Sequence, residues 1–151
     1  MTTDTNGDLW FCTASGTPGT WRQLTANPPG LLTSLAAPVR VYDSRQGDGP
    51  LAGGSERIVS IAGPASTPAV PSGASAALIS VTLDATAGAG FLGVFANGIA
   101  WPGTSNVNWY TNGQILAVTT VTAVDATAKV TVHAGGPGST QFVIDVIGYY
   151  A

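Results

Sequence analysis

The chain has 151 residues, of which 44% are hydrophobic and only 9% are charged, and its formal net charge is −3. This length fits one domain with a short appendage, and the hydrophobic fraction is sufficient for a core. The few cations argue against a nucleic-acid partner, because neutralising phosphates requires clustered lysines and arginines. No apolar run of about 18 residues or more occurs, so we expect no membrane insertion, and we find no secretory signal.

Cys12 is the only cysteine. It excludes an intrachain disulfide and any structural zinc site that needs two or more thiolates. We therefore expect burial, backbone pairing or assembly with further copies to stabilise the fold, and we expect no cofactor and no metal.

The beginning of the chain differs from the rest. Residues 9–12 (LWFC) and 20–24 (TWRQL) have the composition of two short strands around a Gly/Pro turn. An isolated pair of short strands is marginally stable in water, so this hairpin needs a partner surface. Residues 26–30 (ANPPG) then indicate a linker. The predicted organisation is a connector hairpin and linker at 1–30, followed by a β-sandwich module at 31–151.

From residue 38 onward, runs rich in Val, Ile, Thr and aromatic residues alternate with turn residues, which is typical of antiparallel strands. The 20 glycines and 10 prolines suit many tight turns and disfavour long helices. The predicted strands are 39–42, 57–62, 76–83, 91–96, 115–124, 129–133 and 141–150. The fold class is therefore predicted to be all-β, with an antiparallel β-sandwich or jelly-roll-like domain.

Two sequence motifs resemble ligand sites. Residues 88–93 (GAGFLG) match the dinucleotide-binding glycine pattern, but a strand rather than a helix follows the glycines, so we interpret them as a turn. Asp4, Asn6 and Asp8 have the spacing of the first calcium ligands of an EF-hand. The remaining EF-hand positions do not match, which favours a simple turn.

Nucleophilic catalysis requires a base beside a nucleophile. His133 is the only histidine. The alternation of residues 129–133 places it on the face opposite Val130 and Val132, where we expect it to be exposed. We predict no catalytic residues and no enzymatic activity.

Asp145 lies in an otherwise apolar strand, where a carboxylate is costly to bury unless it is paired. Arg40 and Arg45 are the obvious cations. We expect a buried structural ion pair between Asp145 and one of these arginines. A ligand-binding carboxylate and a catalytic one are the alternatives.

The tryptophans are the best binding candidates. Aromatic rings flanked by amide side chains can stack on sugars while the amides bond hydroxyl groups. We favour the interpretation that the rings belong to the core or to a subunit interface, and a glycan-binding platform is the alternative. The candidate ligand-binding residues are Trp101, Asn106, Asn108, Trp109 and Tyr110.

Several segments together resemble a known family. Residues 38–45 (PVRVYDSR), 90–92 (GFL), 101–109 (WPGTSNVNW) and 144–150 (IDVIGYY) are similar to a β module. That module occurs in actinobacterial and cyanobacterial surface or secreted proteins and in their phages. Residues 7–21 (GDLWFCTASGTPGTW) resemble the connector that often precedes it in tail-fibre-like chains.

This resemblance implies a homotrimer that grips a host-envelope ligand, located on a virion tail or a cell surface. It implies no catalytic residues, because no activity is established for the family. The leading hypothesis is a trimeric structural or receptor-binding module of a phage tail fibre or similar surface fibre. The alternative is a monomeric carbohydrate-binding module of a secreted protein.

Overall fold

A computed structural model describes residues 1–5, 8–24 and 30–151. The chain divides into two compact units, Met1–Leu31 and Leu32–Ala151. The all-β prediction is confirmed: the one helical element among the described residues is a 3-10 turn at Ser44–Gln46. Residues 26–29 of the predicted linker lie outside the described residues.

The first unit is a small antiparallel sheet of three strands in the order β1-β2-β3. Its strands are β1 (Thr2–Thr3), β2 (Leu9–Ala14) and β3 (Thr20–Gln23). The predicted hairpin is thus extended by a short third strand, because Thr2 and Thr3 pair with Trp10 and Leu9. Within this unit the side chains of Phe11 and Trp21 are exposed.

In the first unit, one acidic residue of the EF-hand-like pattern, Asp4, has hydrogen-bond donors within the chain. The carboxylate of Asp4 accepts hydrogen bonds from the Asp8 amide at 3.0 Å and from Trp10 Nε1 at 3.1 Å. Asn6, the middle residue of the pattern, lies outside the described residues. The Asp4 carboxylate is therefore used to close a turn, as Asp side chains often do.

The second unit consists of two antiparallel sheets in a β-sandwich-like arrangement. One sheet has the order β10-β7-β12-β4, with β5 also paired to β12, and the other has the order β6-β11-β8-β9. The strands are β4 (Leu32–Asp43), β5 (Leu51–Ala52), β6 (Glu56–Ser60), β7 (Ala76–Ala87), β8 (Gly90–Ala96), β9 (Val107–Trp109), β10 (Leu116–Ala123), β11 (Lys129–Gly135) and β12 (Ser139–Tyr150).

The core lies between these two sheets and follows from the alternation of the strands. In β7, Ile79, Val81 and Leu83 are fully buried, and in β11 Val130 and Val132 are fully buried. Full burial of each such side chain contributes about 1.5–3 kcal/mol relative to exposure. Two core-bearing strands, β7 and β12, are neighbours, so the centre of the larger sheet is its most apolar part.

Most strand bounds differ from the predictions by a few residues, and three differences in the second unit are larger. Strand β4 begins at Leu32 rather than at residue 39, and the short strands β5 and β9 were not predicted. Strand β9 matters most for function, because it fixes which side chains of the candidate ligand-binding segment point into the core.

Candidate functional site

The expected pairing of Asp145 involves Arg40 and not Arg45. Arg40 Nε and Nη2 donate to the two Asp145 carboxylate oxygens at 2.9 and 3.2 Å. Asp145 and Arg40 are partners in the β12–β4 ladder, beside a register shift, on the outer side of the sheet. The expectation that Asp145 is buried is wrong: its side chain is 22% exposed and that of Arg40 is 54% exposed.

Arg45 serves a different pair of carboxylates. Its Nε and Nη2 donate to the two oxygens of Asp43, both at 2.8 Å, and its Nη1 donates to Asp84 at 3.0 Å. This hydrogen-bonded fork, aided by the Arg45 backbone amide, lowers the pKa of Asp43 to about 2. Both arginines thus bind carboxylates within the domain, and the geometry fits a structural role.

Trp109 belongs to the core and not to a ligand surface. In β9 the residues alternate, so Val107 and Trp109 point inward and Asn108 points outward. The Trp109 side chain is only 1% exposed. Its ring lies against Gly90, where a Cβ would come within 2.4 Å of a ring carbon. Trp109 is therefore a core residue, as in the favoured interpretation of the tryptophans, and its assignment as a candidate ligand-binding residue is wrong.

Asn106 is also structural. Its Oδ1 accepts from the Val94 amide at 2.7 Å, and its Nδ2 donates to Thr120 Oγ1 at 3.2 Å. This side chain therefore joins β8 of one sheet to β10 of the other. Both polar ends of the amide are occupied, so Asn106 is unsuited to the ligand-binding role that we expected.

The loop of residues 97–106 is held at its other end by Asn97. Asn97 Nδ2 donates to Asp125 at 2.8 Å, and its Oδ1 accepts from Thr131 Oγ1 at 3.3 Å. The bond from Asn97 is the main reason that the pKa of Asp125 falls to about 2. Two asparagines therefore fix the two ends of this loop, while the residues between them are exposed.

Trp101, near the middle of that loop, lies on the outer face of the smaller sheet. Its ring stacks on the ring of His133, with centroids 4.2 Å apart and planes 8° from parallel. Phe91 contacts Trp101 with a centroid distance of 5.6 Å. The expected exposure of His133 is wrong, since its side chain is 14% exposed. Trp101 remains 38% exposed.

Two glycines make room for these rings. A Cβ at Gly93 would lie 2.6 Å from the Thr104 carbonyl oxygen and 3.4 Å from Trp101 Nε1. A Cβ at Gly135 would lie 2.0 Å from the Phe91 ring. Because these strand positions carry no side chain, the loop and the aromatic rings can approach the sheet backbone closely.

Polar groups flank the rings. Glu56 Oε1 lies 3.1 Å from His133 Nδ1, and the Glu56 side chain is about half exposed. Asn108 is exposed and is the ladder partner of Phe91 across β9 and β8. We call the set Phe91, Trp101 and His133, with Glu56 and Asn108 beside it, the aromatic platform.

The platform retains two of the five predicted ligand-binding residues, Trp101 and Asn108. Tyr110 is highly exposed and makes no ring contact with the platform. Phe91, His133 and Glu56 were missed. A signal for His133 was present, since the alternation of β11 correctly places it on the outer face, but nothing local indicates that Trp101 covers it.

The described residues contain no cluster of three or more side chains that could hold a metal ion. In the same part of the chain, no helix is long and apolar enough to cross a membrane. The histidine of the platform has Glu56 as its hydrogen-bonding side chain, and no hydroxyl or thiol of a described residue bonds to it.

In comparisons with known proteins, no family model matches this chain and no curated protein is significantly similar to it. The resemblance to a tail-fibre-like module therefore stays a prediction, and the functional argument depends on the geometry of the platform.

Proposed function

We propose that this chain is a non-enzymatic attachment module of a phage tail fibre or similar surface fibre, and that it binds an uncharged host-envelope glycan on the aromatic platform. The observation that carries the proposal is that the Trp101 indole, which is 38% exposed, stacks on the His133 ring with the centroids 4.2 Å apart. A held ring loses little conformational entropy when a ligand covers it.

The chemistry of the platform suits a sugar. The apolar face of a pyranose stacks on an indole, while its hydroxyl groups bond to neighbouring polar side chains. Glu56 supplies an acceptor and Asn108 supplies both a donor and an acceptor at the margin of the rings. The chain has only five lysines and arginines, which favours an uncharged ligand over a polyanion.

Assembly into a homotrimer would strengthen binding at the platform. A single shallow site of this kind binds weakly, and several copies held on one fibre raise the overall affinity through effective concentration. We therefore retain the homotrimer as part of the proposal. The second candidate, a monomeric carbohydrate-binding module of a secreted protein, would use the same platform without avidity, and the solution mass separates the two.

The test is calorimetric titration of the chain with soluble oligosaccharides from host envelopes, which measures one site at a time. Trp101→Ala should reduce affinity at least tenfold while leaving the circular dichroism spectrum unchanged. Tyr110→Ala is a matched control because its ring is 80% exposed and lies outside the platform. Unchanged affinity in Trp101→Ala, or equal losses in the two variants, would show that the platform is not the site.

A further inference from the structure

Strand β10 forms one edge of the larger sheet, because only β7 pairs with it. The Val124 amide donates to the Ser75 carbonyl at 3.3 Å, in register with the β10–β7 ladder. Residues of an antiparallel strand direct their backbone groups alternately to the two sides. Even-numbered residues therefore bond to β7, and odd-numbered residues direct their N–H and C=O groups to the free edge. The odd-numbered residues of β10 are Ala117, Thr119, Val121 and Ala123.

No backbone group elsewhere in the described chain pairs with this edge. Among the described side chains, only two hydroxyl groups approach its carbonyl oxygens. Thr120 Oγ1 lies 3.4 Å from the Val121 oxygen, and Thr122 Oγ1 lies 3.3 Å from the Ala123 oxygen. The amides on this edge have no protein acceptor among the described residues, and the side chains of all four odd-numbered residues are exposed.

Natural sheets usually protect a free edge with charges, proline, irregularity or short length. The other edges of this domain have such protection. Strand β4 contains Pro38 and Arg40 and shows register shifts against β12, β6 contains Glu56 and Arg57, and β9 has three residues. Strand β10 (LAVTTVTA) is eight residues long, regular in register and free of charge, proline and glycine.

We propose that β10 is a contact surface between copies of this chain, where it pairs antiparallel with β10 of a second copy. Identical strands can meet here without repulsion because β10 carries no charge. A register centred on Thr120 brings every outward backbone group into a hydrogen-bonded pair, with Thr119 of one copy opposite Val121 of the other. The two larger sheets then form one continuous sheet. This contact is independent of the glycan-binding proposal.

The test measures the mass of the full chain by light scattering at tens of micromolar. The double variant Thr119→Lys/Val121→Lys places lysine opposite lysine in the proposed register, where like charges repel. The two-fold contact would join single chains into a dimer or trimers into a hexamer, so in either case the mass should halve. As a control, Ile58→Lys/Ser60→Lys adds the same charges to exposed positions of β6 and should keep the parental mass.

A complementary variant tests the register. By itself, Thr119→Glu/Val121→Glu should also have half of the parental mass. An equimolar mixture of this variant with the lysine variant should restore the parental mass, because lysine then faces glutamate. The proposal is overturned if the unmodified protein has the mass of a single chain. It is also overturned if the lysine variant keeps the parental mass, or if the mixture of the two variants stays at half of the parental mass. A mass that falls to any fraction other than one half overturns it as well.

Hydrogen exchange on the unmodified protein supplies a measurement that needs no variant. The amides of Thr119 and Val121 should be protected at high concentration and exchange rapidly on dilution, while those of Thr120 and Thr122 stay protected by β7 at both. Rapid exchange of Thr119 and Val121 at high concentration would exclude pairing at this edge.

Discussion

The indole of Trp101 lies parallel to the imidazole of His133, with ring centroids 4.2 Å apart. One residue comes from a loop and the other from the middle of the smaller sheet, so the contact fixes the loop on the sheet. The Trp101 Nε1 donor bonds to the Thr104 carbonyl at 3.0 Å within the same loop. The stack covers one face of the indole, and the Trp101 side chain stays 38% exposed.

Trp101 and Trp109 should respond very differently to truncation. Trp109→Ala removes a fully buried ring and should lower the free energy of unfolding by about 3–5 kcal/mol. Trp101→Ala removes a partly exposed ring and its contacts with His133 and Phe91, which should cost about 1–2 kcal/mol. Urea denaturation of both variants checks this contrast, and similar losses in the two would contradict it.

Asp145→Ala should be mild, because the Arg40 that it leaves behind is mostly exposed and can be solvated. Exposed ion pairs contribute about 0.2–1 kcal/mol, so the melting temperature should fall by a few degrees at most. A double-mutant cycle with Arg40→Ala measures the pair itself. A loss of about 3–5 kcal/mol, as for a truly buried pair, would show that the carboxylate is less solvated than its exposure indicates.

Stability should decrease in acid. The hydrogen bonds from Arg45 lower the pKa of Asp43 from 3.8 to about 2 in the folded protein. A lowered folded-state pKa contributes stability above the unfolded-state value, and that stability is lost as the pH falls from about 4 to about 2. Melting temperatures between pH 5 and pH 2 should show this fall, and Asp43→Asn should reduce its size. The pKa of Asp125 is also lowered in the folded protein, so part of the fall in melting temperature should remain in Asp43→Asn.

We expect a homotrimer whose contacts involve the first unit, because Phe11 and Trp21 stay exposed within it. Light scattering should give a mass of three chains of 15.1 kDa. The mass should be that of six chains if the proposed pairing of β10 also forms. Phe11→Ser/Trp21→Ser should remove the three-fold component. A mass of one or two chains for the parent would contradict this prediction.

Side-chain alternation within long strands could be predicted from the sequence. Ile79, Val81 and Leu83 show it in β7, and the position of His133 on the outer face follows from the same rule. The role of Trp109 could not be predicted, because a three-residue strand gives too short a pattern to show which way its side chains point. Its orientation is fixed by pairing with β8, a contact made in the folded chain.

The aromatic platform was predicted only in part for a similar reason. Glu56 and Phe91 become neighbours of Trp101 and His133 through sheet pairing and through the return of the loop over Gly93, and neither is local in sequence. The Asp145 pairing with Arg40 rather than Arg45 was likewise decided by register. The 3-10 turn after Asp43 directs Arg45 to Asp43 and Asp84 instead.

Asn97 and Asn106 hold the two ends of the platform loop through bonds to strands on both sides of the core. The residues between them, from 98 to 105, are exposed and contribute little to the interior. Substitutions and changes of length there should therefore cost little stability as long as Trp101 keeps its contact with His133. A population of such proteins can diversify what it recognises by varying this one segment, and an engineer can graft a new recognition sequence between the same two asparagines.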